Sequence, residues 1–344
     1  MGIRLFRKED TERWDRYVEE SATSNCYHLI GWKNVIEETF GHKTYYLLSE
    51  GERSEINGIL PLVHLKSIPF GSFMVSLPYF NYGGICADSN GARDQLLKEA
   101  IDIAWGKKAE HIELRHKEAL EIGLPAKTSK VCMRLGLPQK AEDLWESFTS
   151  NLRRKIRRPV KEGIFVKFGG GEELDNFYRV FSINMRDLGT PVYPKKFFAN
   201  ILNSFNDRTW ICTVFTKENQ AVASGFLVGF KDQLEIPWVS SLRSHNRYYT
   251  NMFLYWHVLK FACENHYRFF DFGRSTPGEG TYKFKEQWGA KPVQLYWHYW
   301  LRKGGLLPEL NPKNPKYRLA IKVWQTLPVG FTRLLGPLIV KNLP

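Results

Sequence analysis

One order of elements runs through this chain twice, and that duplication limits its fold more than any other feature. In the first pass, Trp32 to Phe40 has the apolar spacing of a short amphipathic helix. The run 45–50 (YYLLSE) alternates as a strand, a polar turn covers 51–57, and 58–66 (GILPLVHLK) reads as its partner strand. After the aromatic, irregular stretch 77–85 (LPYFNYGGI), residues 92–107 are helical in pattern and 111–116 (HIELRH) alternate again. The second pass opens near residue 195 with a helix over 197–205. A hairpin of 210–216 and 221–230 follows around the turn KENQ, then a strand over 234–242, a helix over 251–265 and a strand over 267–273. Aligning Gly58 with Gly225 brings Glu113 to within about ten residues of Asp271, so the pattern predicts a duplicated α/β unit. Each copy is expected to be a mostly antiparallel, mixed sheet with helices packed on it. The expected boundaries are 1–149 for the first domain, 150–304 for the second and 305–344 for a tail.

Charge separates the chain further. With 49 Lys and Arg against 36 Asp and Glu, the formal net charge is +13, an excess that calls for an anionic partner. Six of the cations, Arg153, Arg154, Lys155, Arg157, Arg158 and Lys161, lie within the basic helix predicted over 150–164, with Ser150 as its N-cap. Leu152 and Ile156 give that helix one thin apolar edge. The cluster reads either as a clamp for phosphate or pyrophosphate or as a solvated linker. Six more, Lys313, Lys316, Arg318, Lys322, Arg333 and Lys341, stand in residues 310–344, which hold no carboxylate and are rich in Leu, Ile and Val. That is the composition of an interfacial segment whose Trp324 and aliphatic face enters the headgroup boundary while its cations meet anionic lipid. The alternative is a tail packed on its own domain. Pro328, Pro337 and Pro344 rule out one long helix. Because these two segments hold twelve of the thirteen excess charges, the rest of the chain is nearly neutral, and neither a general nucleic-acid surface nor DNA binding is expected.

Several classes are excluded. Cys26, Cys86, Cys132, Cys212 and Cys263 form no CxxC and no metal-ligand spacing, so free buried thiols in a reducing compartment are expected and no metal. The start, MGIRLFRKEDTERW, is charged too early for a secretory leader, and no apolar run reaches the roughly 18 residues of a membrane span, so a soluble or peripheral protein is expected. The glycine run 169–171 lacks the GK[ST] of a phosphate loop, and no GxSxG occurs. His28, His245 and His257 read as structural or surface residues, and Tyr79, Phe80 and Tyr82 as either core or the lining of an acceptor groove.

The densest chemical signal is 270–290, FDFGRSTPGEGTYKFKEQWGA. A strand ends at Asp271, a glycine-rich connection follows, and an aromatic and basic segment returns through Tyr282, Phe284 and Lys285. Asp271 beside Arg274 and Lys285 serves either as a base or as half of an ion pair that fixes the loop. Lys285, set between an aromatic and a Trp-Gly turn, is suited to stabilise the oxyanion that develops when an acyl carbonyl is attacked.

These residues carry a resemblance. The helix, hairpin and flanking strands match the order of elements of an N-acetyltransferase-like (GNAT) domain. HLIGW (28–32), the glycine pair of LPYFNYGGI, SNLRRKIRRPVKEGI and above all FDFGRS with YKFKEQWG resemble the FemAB-like, GNAT-related transferases with two tandem domains. The branch is the one associated with exosortase (PEP-CTERM) and exopolysaccharide gene clusters. The resemblance covers nearly the whole chain. It implies transfer of an aminoacyl group from aminoacyl-tRNA to the amine of a cell-wall precursor, with Phe284 and Lys285 at the active centre and no permanently bound cofactor. It also implies a cytoplasmic enzyme, peripheral on the inner face of the membrane. Arg153, Arg154, Arg157, Arg158, Arg243 and Arg247 are expected to hold donor or acceptor phosphates, with Arg274, Tyr282, Trp238 and Tyr82 as further binding residues. The chain departs from acyl-CoA-using relatives at 241–251 (SLRSHNRYYTN), where their pyrophosphate loop carries glycines, and it lacks the long helical insertion of tRNA-using members. An acyl-CoA N-acetyltransferase acting on an amino sugar, and a non-catalytic scaffold docked on membrane or RNA, stand as rival readings.

Overall fold

Pro61 breaks the run 58–66 that the pattern reads as one strand. A prolyl nitrogen brings no N–H to a ladder. In the computed structural model, which describes residues 2–68, 70–308 and 315–343, one strand ends at Leu60 and the next begins at Val63 in a different sheet.

The chain forms two units, each assembled from separated stretches. The first takes Met1–Val131, Val293–Leu310 and Lys341–Pro344, and the second takes Cys132–Pro292 and Asn311–Val340. In chain order the first unit contains β1 (Gly2–Leu5), α1 (Thr11–Glu20), α2 (Gly31–Phe40), β2 (Lys43–Thr44), β3 (Leu47–Glu50), β4 (Ile56–Leu60), β5 (Val63–Ser67), β6 (Gly71–Val75), β7 (Cys86–Ala87), α3 (Asn90–Gly106), β8 (His111–His116) and β9 (Ala126–Lys127). The second follows with β10 (Val131–Gly136), α4 (Ala141–Ser147), α5 (Ser150–Lys161), β11 (Phe165–Gly169), α6 (Leu174–Leu188), α7 (Lys195–Ser204), β12 (Thr209–Phe215), β13 (Ala221–Phe230), β14 (Gln233–Ser241), α8 (Thr250–Glu264), β15 (Phe269–Ser275), α9 (Gly280–Glu286) and β16 (Lys291–Gln294). From Val293, within β16, the chain returns to the first unit and forms β17 (Tyr296–Leu301), and it comes back to the second as α10 (Pro315–Thr326) and α11 (Val329–Val340). The division thus differs from the boundaries expected at 149 and 304. Most of β10 and all of α4 belong to the second unit, β17 to the first, and α10 and α11 are part of the second unit.

In place of a single sheet, the first unit holds two, in the orders β1-β3-β4-β7 and β2-β5-β6-β8-β17-β9. Small residues of α3, Ala100 and Ala104, join Leu47, Leu60, Met74, Ile112 and Leu114 in the core. β6 and β8 run parallel through the rungs Met74↔Ile112 and Val75↔Glu113, and β17 lies antiparallel to β8 with Tyr299 opposite Glu113. The buried Glu113 takes two bonds from Arg115, at 2.7 and 2.6 Å, and one from the Tyr299 hydroxyl at 2.5 Å. Burial alone pushes a carboxyl up, but Arg115 and Tyr299 hold Glu113 below the usual carboxylate range. Removing one member of such a buried pair typically costs about 3–5 kcal/mol.

Past Val75 the chain's own segment 76–85 lies along β8. The Gly84 N–H donates to the Arg115 carbonyl at 2.8 Å, and the Ile85 N–H to His116 Nε2 at 3.0 Å. With Nε2 accepting, the neutral His116 ring carries its proton on Nδ1 and donates to His298 Nδ1 at 2.9 Å. A Cβ on Gly84 would run into the His116 ring.

The second unit is one seven-stranded sheet, β11-β12-β13-β14-β15-β10-β16. β13 is buried along its whole length because helices cover both faces: Gly225 faces Leu254 of α8, while the next residue, Phe226, meets Phe177 of α6. α5 packs on α8 through Leu152, Ile156 and Pro159. Its N-cap is Thr149, one residue before the expected Ser150; the Thr149 hydroxyl accepts the Leu152 N–H at 3.3 Å. Pro159 neither ends nor interrupts the helix, which runs on to Lys161.

The tail does not offer Trp324 to a lipid surface. α10 and α11 lie against α6, where Arg333 Nε donates to Ser182 Oγ at 2.8 Å, Arg186 donates to the Leu327 carbonyl at 3.1 Å, and Trp324 is buried. Gly336 lets α11 approach the Val192 backbone, which a Cβ would meet at 2.8 Å. Lys313 lies outside the described residues, as do the side chains of Lys316 and Tyr317. All five cysteines are buried and free, and among the described residues no helix is long and apolar enough to cross a membrane.

Two outcomes follow for stability. Burial pushes His116 well below its ordinary value and lowers His111 and His298. The unfolded chain therefore binds protons the folded rings refuse, and unfolding free energy is expected to decline as pH falls from about 7 toward 5, below the ordinary histidine value near 6.5. Gly84→Ala is expected to cost about 1–3 kcal/mol in chemical denaturation through overpacking against His116.

Candidate active site

β14 and β15 run parallel for only three rungs, Gln233↔Phe269, Leu234↔Phe270 and Glu235↔Asp271. Directly after Glu235, two residues of β14, Ile236 and Pro237, oppose the single Leu227 of β13. This bulge accommodates a proline inside a strand and turns β14 away from β15. On the other side, Asp271 Oδ1 accepts the Gly273 N–H at 2.7 Å, and Gly273 takes φ +76°, a conformation open to glycine and strained for most other residues.

Lys285 reaches this point from α9, which Glu279 precedes as an extended cap. Its Nζ donates to the carbonyls of Gly273 and Arg274, each at 2.9 Å, and the residue is 7% exposed. Burial lowers the amine to about 8, with Cys132, Asp271 and Glu235 opposing that fall and Arg274 adding to it. Near neutral pH it is still mostly an ammonium with three N–H donors, of which the two carbonyls engage two.

An aromatic wall holds α9. Tyr255 of α8 lies 5.1 Å from Phe284, 5.4 Å from Phe272 and 6.0 Å from Trp288, ring centre to ring centre. Phe148, beside the start of α5, meets Trp288 edge-on at 5.4 Å, and Trp145 and Trp256 extend the cluster. Such pairs are worth roughly 0.5–1.5 kcal/mol each beyond area burial, enough together to fix the helix that carries Lys285. Ser275 Oγ and Trp288 Nε1 are buried with no hydrogen-bond partner among the described residues.

The structure brings Asp271, Phe284 and Lys285 into one locus, with the Arg274 carbonyl engaged and its side chain exposed, and Tyr282 half-buried on α9. The cations of α5 stand away from its buried edge, and among the described residues none of Arg153, Arg154, Lys155, Arg157, Arg158 and Lys161 makes an ion pair. Arg154 donates to Asn151 Oδ1 and Arg157 lies 5.1 Å over the Trp145 ring. Arg243 and Arg247 sit on a short helical turn, Arg243–Tyr248, between β14 and α8. There Arg243 donates to the Asp187 carbonyl at 2.8 Å, and Arg247 stacks on Tyr248.

Trp238, expected to bind substrate, is instead an interior residue of the second unit, its ring 5.2–5.5 Å from Phe197, Phe198 and Phe226. Tyr82 is buried in the first unit under Lys117, whose Nζ is 4.6 Å from its ring centre. Its neighbour Phe80 is packed against Tyr27 and Trp32.

Glu235 escapes sequence reading. It is almost wholly buried, sits at the last shared rung opposite Asp271, and acts on the Lys285 charge. The signal was a carboxylate within the apolar run LEIPW. Among the described residues no group of three His, Cys, Asp or Glu is arranged to hold a metal.

A family model described as an acetyltransferase (GNAT) domain matches residues 146–286, all within the second unit. The lipid II:glycine glycyltransferase of Staphylococcus haemolyticus (strain JCSC1435) is 23% identical over 216 residues, which are 56% of this chain and 50% of that protein. The chain thus spans about half the length of the curated relative it matches. Among solved structures, FemX aligns with a TM-score of 0.66 at 15% identity, over 86% of this chain and 97% of its own. A tandem GNAT protein from the clavulanic acid biosynthesis pathway aligns with a TM-score of 0.56 at 10% identity, over 89% and 99%. These two likenesses concern the fold, a mixed α/β pair of GNAT-like units. The domain match places similarity to a GNAT acetyltransferase domain in the second unit, and over most of its length the chain resembles FemX and the tandem GNAT protein in fold.

Proposed function

We propose that this protein is an acyltransferase that moves an aminoacyl group onto an amine of a phosphate-bearing cell-envelope precursor, lipid- or nucleotide-linked and destined for exported polysaccharide, at the cytoplasmic face of the membrane. The observation that carries this reading is the Lys285 ammonium, buried, anchored by two backbone carbonyls and left with one N–H donor. In the reaction the acceptor nitrogen attacks the acyl carbonyl carbon. An N–C bond forms as the ester C–O bond to the donor breaks, and negative charge develops on the carbonyl oxygen. A fixed donor in a dry site stabilises that charge without reorganising. The amine's proton passes to the acceptor's own phosphate or carboxylate, while the departing ribose oxygen takes up a proton.

Asp271 supports this geometry as a positioning residue, since its carboxylate fixes the turn at Gly273 whose carbonyl anchors Lys285. Arg153, Lys155, Arg158 and Lys161 of α5, which make no ion pair among the described residues, suit donor or acceptor phosphates better than Arg243 and Arg247, whose guanidinium groups already have partners. Aminoacyl-tRNA is favoured as donor over acyl-CoA because the segment before α8 is a helical turn of bulky residues closing on Tyr249 at φ +58°, with no glycine cradle for a pyrophosphate. The donor is a co-substrate, and no permanently bound cofactor is invoked. Saturable binding of coenzyme A in calorimetry, with none of charged tRNA, would reverse that choice.

Lys285→Ala is expected to lower transfer by about 10²–10³-fold while the protein stays folded, with a stability loss of about 1–3 kcal/mol from the two carbonyls it leaves without a donor, and an unchanged rate on a competent acceptor overturns the assignment. Because the working form is the ammonium, activity is expected to be lost as pH rises through about 8, and Lys285→Arg should move that limb upward. Asp271→Asn keeps an oxygen for the Gly273 N–H and is expected to retain most stability and activity. Asp271→Ala is expected to lose about 1–3 kcal/mol in denaturation.

A further inference from the structure

We infer that the outward faces of α10 and α11 form a docking surface for an anionic lipid bilayer, distinct from the Trp324 face that the composition of the tail suggests. At about 100° per residue, Thr332, Arg333, Gly336 and Val340 lie on one side of α11, and it is this side that meets α6 and Val192. Phe331, Leu334 and Leu338 fall on the opposite side. In α10, Ile321, Trp324 and Gln325 face inward, with Ile321 against Gly189 and Gln325 donating to the Asp187 carbonyl at 3.0 Å. Leu319 and Val323 project the other way.

These five outward residues are 47–69% exposed, and they form one stripe on each of two consecutive helices. Isolated exposed apolar residues are ordinary in a folded protein; a repeated stripe opposite a packed face is not.

Charge selects the occupant. From Pro315 to Asn342 the chain carries Lys316, Arg318, Lys322, Arg333 and Lys341 and no carboxylate. Arg318 and Lys322 are exposed in the same helix as Leu319 and Val323. A self-complementary interface between two copies would set this cationic segment against itself. An anionic bilayer satisfies both features, taking the aliphatic side chains into the headgroup boundary while its phosphates meet the exposed Arg318 and Lys322. The helices are short and α11 contains Pro337, so the surface lies on the membrane and does not span it.

The inference is independent of the chemistry at Lys285, because membrane contact is read without turnover. The full chain is expected to float with vesicles of mixed phosphatidylglycerol and phosphatidylcholine, and at least about tenfold less with phosphatidylcholine alone. Leu334→Glu/Leu338→Glu, which alters only exposed positions, is expected to reduce flotation at least about tenfold with an unchanged melting curve. Arg318→Glu/Lys322→Glu is expected to weaken it and to blunt its sensitivity to salt. Equal flotation of the leucine variant and the parent overturns the proposal. So does a parent dimer in sedimentation that this variant dissociates, with no vesicle binding by either.

Discussion

The separation of β14 from β15 after Glu235 and Asp271 is the constraint on which the candidate chemistry of the second unit depends. While the strands are paired their carbonyls are spent on each other. Once they part, the Gly273 and Arg274 carbonyls need new donors, and Lys285 supplies them. Three local choices produce this outcome: the bulge at Ile236–Pro237, the left-handed Gly273, and the Asp271 carboxylate that bonds the Gly273 N–H. The aromatic wall around Tyr255 then holds α9 so that the amine remains at this depth.

The first unit solves the same problem differently. Glu113 stands at the last rung of its parallel pair, as Asp271 does, but the carbonyl two residues on, that of Arg115, is bonded by the Gly84 N–H of the chain's own segment. Arg115 offsets the charge of Glu113 and the Tyr299 hydroxyl donates to it, and Phe80 and Tyr82 are buried among neighbours. What the second unit assigns to a titratable side chain, the first assigns to backbone. The two units thus share a parallel strand pair that ends at a carboxylate, while the candidate chemistry falls in one of them.

The cationic excess is likewise divided by what each helix buries. α5 spends Leu152, Ile156 and Pro159 on α8 and keeps its charges in solvent. α10 and α11 spend Trp324, Thr332, Gly336 and Val340 on the second unit, yet retain a further apolar face. Composition alone cannot distinguish these cases, because the same residues suit either face.

Much of this was legible in the chain. The duplicated order of elements, a strand carrying Asp271, the basic helix and the candidacy of Phe284 and Lys285 follow from local periodicity, turn residues and a short motif, all of which act over a few residues. Other features were not: that 58–66 is two strands in two sheets, that β17 returns to pair with β8, that Trp238 and Tyr82 are interior, and that Glu235 lies opposite Asp271. Each of these is set by which distant segment covers a residue or shares its rung. By itself, then, the sequence determined the elements and the candidate chemical groups. The tertiary structure decided which groups meet, because burial and register are properties of pairs of segments far apart in the chain.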